Sequence, residues 1–293
     1  IDTEDKMCGI CGFTGYRQDQ KTVIERMMKA IEHRGPDSEG SFCREKITLG
    51  FRRLSIIDLE DGQQPMESAD GNLHIVFNGE IYDYKELRAE LEAFGISFCT
   101  HSDTEVLINT IQQYGEKALD KLRGMFGFAV WNEQEQSLML ARDFFGIKPV
   151  YYAEIDGHFV FASEIKSILA FPGYERKVNQ KALEQYLSFQ YSPLEETFFR
   201  GIYKLMPGHM LLYKNGNYEI KTYFKTKLAP GQWDYKTNMA QLRSQLSEIL
   251  KDSVKHHMLS NVEVGAFLSG GVDSGYLASS AGADQAFTVG FDE

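Results

Sequence analysis

The 293 residues contain no run of about 18 apolar side chains, so no membrane-spanning helix and no membrane partner are expected. Positive charge is in deficit. Against 42 Asp and Glu stand 31 Lys and Arg, a formal charge of −11, which is the wrong balance for binding a phosphate backbone, so no nucleic acid is expected. Cysteine is scarce, with Cys8, Cys11, Cys43 and Cys99 too few and too scattered for a secreted disulfide scaffold. Reduced thiols in a cytoplasmic protein are the matching expectation. The 7 histidines show no metal-ligand spacing, and no signal-peptide pattern stands before Met7.

What the chain does have begins at Met7-Cys8-Gly9-Ile10-Cys11-Gly12-Phe13. Residues 1–7 read as a leader, either an expression remnant or a cleaved propeptide. Small residues after a methionine favour its removal, so the mature chain is expected to start at Cys8. A cysteine at an N-terminus carries its nucleophilic thiol and an α-amine of pKa about 8 on one residue. Any residue left in front converts that amine to an amide and removes the base.

Apolar spacing predicts a helix through Val23, Ile24, Met27, Met28 and Ile31, ending near His33-Arg34-Gly35-Pro36-Asp37. Short strands are expected at 47–51, 55–59 and 73–77, the last running into an Asn78-Gly79-Glu80 turn signal. Leu87, Leu91 and Phe94 mark a helix closed by Gly95. Ser102 to Glu105 has capping-box spacing before another helix. Segments 125–131, 137–141, 149–155 and 158–162 read as antiparallel strands. A helix at 181–189 and a hairpin about Asn215-Gly216 follow. Residues 225–236, with Pro230-Gly231, are expected to be a linker. Beyond it come a helix through Leu242, Leu246, Ile249 and Val254, an apolar run 262–268 read as a buried parallel strand, a helix, and a strand at 286–290. One β-loop-α-β unit is too little to bury its own faces, so residues 237–293 read as an incomplete domain.

The loop Ser269-Gly270-Gly271-Val272-Asp273-Ser274 joins that strand to that helix. Its glycines allow a tight turn, and free N–H groups at a helix N-terminus favour phosphate or pyrophosphate. Ser269 and Ser274 add hydroxyls, and Asp273 is the candidate Mg²⁺ ligand. No Gly-Lys-Ser/Thr follows, so it is not a Walker loop.

The opening CGICGF, His33 to Asp37, Arg53-Leu54-Ser55-Ile56, Asn78 to Tyr82, Ser102-Asp103, Arg123 to Phe126, Arg142-Asp143 with Gly146 to Pro149, and Ala162-Ser163-Glu164 resemble the class II glutamine amidotransferases. With SGGVDS behind them, the order resembles glutamine-dependent asparagine synthetases. The resemblance implies an α+β fold: a four-layer αββα N-terminal-nucleophile sandwich over 8–224, then the start of a parallel α/β ATP-pyrophosphatase domain over 237–293. It implies Cys8 as the nucleophile towards glutamine, with Asn78 and the Gly79 N–H as oxyanion donors. Arg53, Leu54, Ser55, Ile56, Ile57, Asn78, Gly79, Glu80 and Asp103 would bind glutamine. Arg53 would take its α-carboxylate, while Asp103 and the 78–80 segment would take its α-ammonium. Leu268 and Val289 would line an adenine site, and Ser269, Gly270, Gly271, Asp273 and Ser274 would hold ATP as aspartate is activated. The implied partners are glutamine, aspartate and ATP with Mg²⁺, and a second copy of the chain is admissible as a homodimer partner.

Blander alternatives accompany several of these positions. Cys8 and Cys11 form a C-x-x-C, but a strand rather than a helix follows, against a redox motif. Asp103 can be a helix cap, Asn78-Gly79 a plain turn, and His33 a turn-lining residue. Spacing does not choose between Arg52 and Arg53; the RLSI match selects Arg53. Rival readings are another enzyme on this scaffold, such as a β-lactam synthetase, or a non-catalytic glutamine-binding module.

Overall fold

The computed structural model describes residues 7–54, 62–226, 238–259, 263–283 and 285–290. The chain divides into two compact units, Ile1–Lys225 and Thr226–Glu293.

In chain order the first unit runs β1 (Gly9–Thr14), α1 (Gln20–Lys29), β2 (Ser38–Cys43), β3 (Ile47–Arg53), β4 (Met66–Glu67), β5 (Leu73–Ile81), α2 (Tyr84–Ala93) and α3 (Asp103–Tyr114). It continues with β6 (Gly124–Asn132), β7 (Ser137–Arg142), β8 (Tyr151–Ile155), β9 (His158–Ala162), α4 (Ile165–Leu169), α5 (Gln180–Phe189), β10 (Ile202–Lys204), β11 (His209–Lys214) and β12 (Asn217–Thr222). The strands form two six-stranded antiparallel sheets, in the orders β10-β8-β9-β1-β3-β2 and β12-β11-β7-β6-β5-β4.

Alternation along each strand explains the layers, since successive side chains point to opposite faces. Ile10, Leu49, Phe51, Val76, Ala129 and Phe161 meet in a core between the sheets. The opposite parity of the first sheet, including Cys11, Phe13 and Val160, packs on Val23, Ile24 and Met27 of α1 and on Ile168 of α4. The opposite parity of the second, including Ile75, Phe77 and Phe128, packs on Leu87 and Leu91 of α2 and on Val106 and Leu107 of α3. Helix, sheet, sheet, helix is the expected αββα sandwich. Each fully buried large apolar side chain contributes roughly 1.5–3 kcal/mol.

Two local readings change. Asn78-Gly79-Glu80 is no turn, because β5 continues through it and pairs Asn78 with Gly127 and Gly79 with Phe126. Nine residues of pairing with β6 override a dipeptide preference. Ser102 caps α3 by accepting from the Glu105 N–H at 3.2 Å, but Glu105 does not return the bond to Ser102. Its carboxylate instead accepts from the N–H groups of Cys99 and Thr100, both at 2.7 Å, tying the preceding loop to the helix. The expected strand at 55–59 lies outside the described residues.

The second unit contains α6 (Met239–His257), β13 (Gly265–Phe267), α7 (Val272–Ala281) and β14 (Gln285–Phe287), with β13 and β14 parallel. The parallel strand is present but not buried: it has three residues, and Phe267 is 88% exposed. The two strands pair only with each other, so no further strand covers them among the described residues. No described helix is long and apolar enough to cross a membrane.

Candidate active site

One cleft of the first unit gathers groups from both sheets: Cys8, Arg53, Leu54, Asn78, Gly79, Glu80 and Asp103 all line it. Strand parity puts them there. Cys8 shares the face of Ile10, Arg53 that of Leu49 and Phe51, and Asn78 that of Val76, all facing the space between the sheets. The same rule decides between the adjacent arginines. Arg52 points to the other face, where it donates to the Gly35 carbonyl at 3.0 Å and pairs with Glu39. Cys8 and Cys11, three apart on an extended chain, face opposite sides, and all four cysteines are free. Ser55, Ile56 and Ile57 lie outside the described residues.

The nucleophile candidate is held tightly. Cys8 Sγ donates to Leu54 O and accepts from the Leu54 N–H, both at 3.4 Å. Its carbonyl accepts from Arg34 Nε at 3.1 Å, and Arg34 Nη1 is braced by Glu164 at 3.0 Å. His33 and Lys166 contact the same carboxylate, which leaves His33 a brace at the turn. In the sequence, His33 to Asp37 and Ala162 to Glu164 stand out only as motif matches; the structure joins Arg34 and Glu164 behind Cys8. Burial pushes the Cys8 thiol up from its ordinary value. The Leu54 hydrogen bond and the charges of Arg53 and Lys148 pull the other way, while Asp103 adds to the rise. A protonated thiol needs a base to react. In this sequence Met7 precedes Cys8, so the Cys8 nitrogen is an amide.

The oxyanion candidates sit along β5. In an antiparallel ladder, backbone groups of alternate residues point to opposite edges. The Tyr82 N–H bonds Arg123 O, towards β6, so odd residues point the other way. Accordingly the Phe77 N–H donates to Gln64 Oε1 at 2.6 Å and the Ile81 N–H to Asp103 Oδ2 at 3.0 Å. The Gly79 N–H lies between them on the same edge, with no acceptor among the described residues. A Cβ at Gly79 would come within 2.1 Å of Met125 O, so no larger residue fits there. Asn78 is 1% exposed, and its Nδ2 has no hydrogen-bond partner among the described residues. A buried amide with unused donors is costly and therefore informative.

Charge in the cleft is mixed, as a zwitterionic ligand would require. Arg53 and Lys148 supply cations, Asp103 and Glu80 anions. Burial, with Glu80 nearby, pushes the Asp103 carboxyl up to about 7, against the Ile81 N–H bond that favours its charge. Ser102 is thus the cap, while Asp103 is both a strand clamp and a cleft wall. Gln64, which brackets Phe77, and Lys148 were not singled out from the sequence. The only signal for Lys148 was its place in the Gly146 to Pro149 match.

In the second unit, Gly270 has φ of +81° and open space where a Cβ would lie, and Gly271 precedes the first turn of α7. Ser269 Oγ and Ser274 Oγ are 3.0 Å apart. Open space, two hydroxyls and a helix N-terminus fit a phosphate chain. Asp273 is a single exposed carboxylate, and no described cluster of three or more His, Cys, Asp or Glu can hold a metal. One carboxylate alone is too few ligands to hold Mg²⁺, so Asp273 would fit that ion only with phosphate oxygens supplying the rest. Leu268 is half-buried and Val289 is 82% exposed.

The glutamine amidotransferase domain family model matches residues 7–224, and the asparagine synthase model matches 245–293. "Asparagine synthetase [glutamine-hydrolyzing] 1" of Bacillus subtilis is 44% identical over 97% of this chain and 46% of its own length. "Asparagine synthetase [glutamine-hydrolyzing] 3" of the same organism is 34% identical over 94% of this chain and 45% of its own. The chain thus spans a little under half the length of these relatives. Among solved structures, glutamine phosphoribosylpyrophosphate amidotransferase from B. subtilis aligns with a TM-score of 0.57 at 18% identity, covering 96% of this chain and 65% of that one, a likeness of fold. With its family model matched from Met7 to Phe224, the chain belongs to the glutamine amidotransferase domain family.

Proposed function

We propose that the chain is the glutamine-hydrolysing part, with the beginning of the synthetase part, of an asparagine synthetase. The observation that carries this reading is the convergence of Cys8, Arg53, Asn78, Gly79 and Asp103 on one cleft. In the proposed reaction, Cys8 stands at the N-terminus after loss of residues 1–7. Its thiol proton passes to its own α-amine as Sγ attacks the side-chain amide carbon of glutamine. Charge on the carbonyl oxygen is taken by Asn78 Nδ2 and the Gly79 N–H, each donor of this kind being worth about 2.7–4 kcal/mol. The ammonium then protonates the departing ammonia. Water cleaves the thioester, releasing glutamate and restoring the thiol. Arg53 pairs with the substrate α-carboxylate through its planar fork, and Asp103 with Glu80 receives the α-ammonium.

The synthetase half of the proposal rests on Ser269, Gly270, Gly271, Asp273 and Ser274, with Leu268 and Val289 beside the adenine. ATP with Mg²⁺ would there supply the activation of an aspartate carboxylate that ammonia then attacks. A cytoplasmic location, in keeping with four free cysteines, belongs to the same reading. The test is ammonia and glutamate release from glutamine by protein whose mass and N-terminal sequence establish a free Cys8. Stoichiometric release supports the reading; none at all, in folded protein with a free Cys8, overturns it.

A further inference from the structure

Lys148 is a buried lysine at a place where the proposed chemistry is sensitive to charge. Its Nζ lies 3.0 Å from Met7 Sδ, against the residue whose peptide bond to Cys8 must open to free the amine, and it lines the same cleft as Cys8. Its backbone is fixed from two sides. Asp143, itself buried, accepts from the Lys148 N–H at 2.8 Å and from the Ile147 N–H at 2.9 Å. Arg142 Nε donates to the Lys148 carbonyl at 2.8 Å. Holding an ammonium in such a place costs desolvation, which neighbouring anions must offset. The charged and titratable groups around it are Glu80 on β5, Cys8 before β1, Arg34 after α1 and Asp143 after β7. Arg53 on β3 and Asp103 on α3 complete the cleft.

From this geometry we infer that Lys148 is the electrostatic positioning residue of the nucleophile. Its ammonium sits beside the Met7 thioether in the cleft that Cys8 also lines, and there it favours the thiolate and, once Cys8 heads the chain, the uncharged α-amine. The inference rests on the proposed amidotransferase chemistry and adds a reason why an amine in this cleft stays a free base at neutral pH. A cation beside an amine disfavours a second positive charge, and a cation beside a thiol favours the negative one. Both effects point towards the reactive pair, a neutral base and a stabilised sulfur. Burial lowers the affinity of Lys148 for its own proton, and Glu80 on β5 opposes that loss. Arg53, the other cleft cation, is assigned to the substrate carboxylate, so its field is spent once glutamine binds.

The experiment reads thiol protonation directly, without glutamine. The full chain is alkylated with iodoacetamide across a pH series, and modification of the Cys8 peptide is followed by mass spectrometry. Replacing Lys148 with Met should raise the midpoint of Cys8 alkylation by about one pH unit, and Lys148→Arg should return it close to that of the parent. A K148M midpoint equal to the parent's, at an unchanged unfolding temperature, overturns the inference. If K148M does not fold, Lys148→Gln, which keeps a polar side chain without the charge, carries the test: its midpoint must also rise, and an unchanged or lowered midpoint then refutes the inference. In protein starting at Cys8, the acidic limb of kcat/KM for glutamine should move upward with K148M and stay with K148R. Absent ammonia release in the parent would count against the proposed function, whereas a parent that turns over with an unmoved K148M profile counts against Lys148 alone.

Discussion

Gly79 and Gly270 both stand in candidate ligand sites, for opposite reasons. At Gly79 the constraint is space: a Cβ would lie 2.1 Å from Met125 O and 2.8 Å from Phe126 Cα. At Gly270 nothing lies within 4 Å, but φ is +81°, a conformation that costs an L-residue about 1–2 kcal/mol. The contrast extends to what surrounds each. The cleft residues are held by partners distant in sequence, Cys8 through Leu54 and Arg34, Asp103 through Ile81. In the second loop, Ser274 Oγ bonds Gly271 O at 3.1 Å and Ser269 Oγ at 3.0 Å, inside the loop itself. The first site is preorganised by the fold, and the second presents donors for a ligand to organise. Preorganised donors are the kind that stabilise developing charge without rearrangement.

The largest test of this contrast is Cys8→Ala, expected to reduce ammonia release by about 10⁴-fold or more while leaving the unfolding midpoint near that of the parent. Steady-state ammonia assays beside thermal melts check it; retained turnover would move the nucleophile elsewhere. Asn78→Ala removes a buried donor and should lower kcat by roughly 10²–10³-fold with little change in KM. A rise in KM at constant kcat would instead make Asn78 a ground-state contact.

Asp103→Asn should raise the KM for glutamine by about tenfold or more, the scale of losing a hydrogen bond to a charged group. Its pH dependence has a definite sign. A carboxyl pushed up to about 7 is neutral below that pH and charged above it. Recognition of an α-ammonium needs the charge, so the KM of the parent should fall as pH rises through 7, and that of Asp103→Asn should not follow. KM measured from pH 5.5 to 8.5 decides this; parallel curves would leave Asp103 only its clamp on Ile81.

The smallest effects separate the two glycines. Gly79→Ala should cost about 1–3 kcal/mol of stability through overpacking and damage the oxyanion edge. Gly270→Ala should cost about 1 kcal/mol through backbone strain and leave ammonia release unchanged. Chemical denaturation paired with ammonia assays distinguishes them, and equal loss of activity in both would contradict the account.

Much of the sandwich was legible because its central strands alternate or run apolar, as 125–131 and 158–162 do. The edges were not. Ser38–Cys43 carries Ser, Glu and Gly on an edge strand, where half-exposed residues give no apolar period, and Ile202–Lys204 is too short to show one. The site was legible as motifs and opaque as geometry. Which of Arg52 and Arg53 faces inward is a matter of strand parity, settled by pairing that spacing does not reveal. Asn78-Gly79 looked like a turn because a dipeptide carries no information about the strand across from it. The run 262–268 looked buried because apolar content speaks for the residues, while burial depends on neighbours. Lys148 stayed hidden because an isolated lysine in sequence gives no sign that it will be enclosed.

The central claim is that the fold builds a cysteine nucleophile whose base is its own α-amine. Its most direct test compares glutamine hydrolysis by protein that begins at Cys8 with the same protein retaining Met7, at equal concentration and pH. Turnover with the free amine and its loss with Met7 in place is the predicted result. Equal turnover by the two forms would show that the base lies elsewhere and would contradict the account.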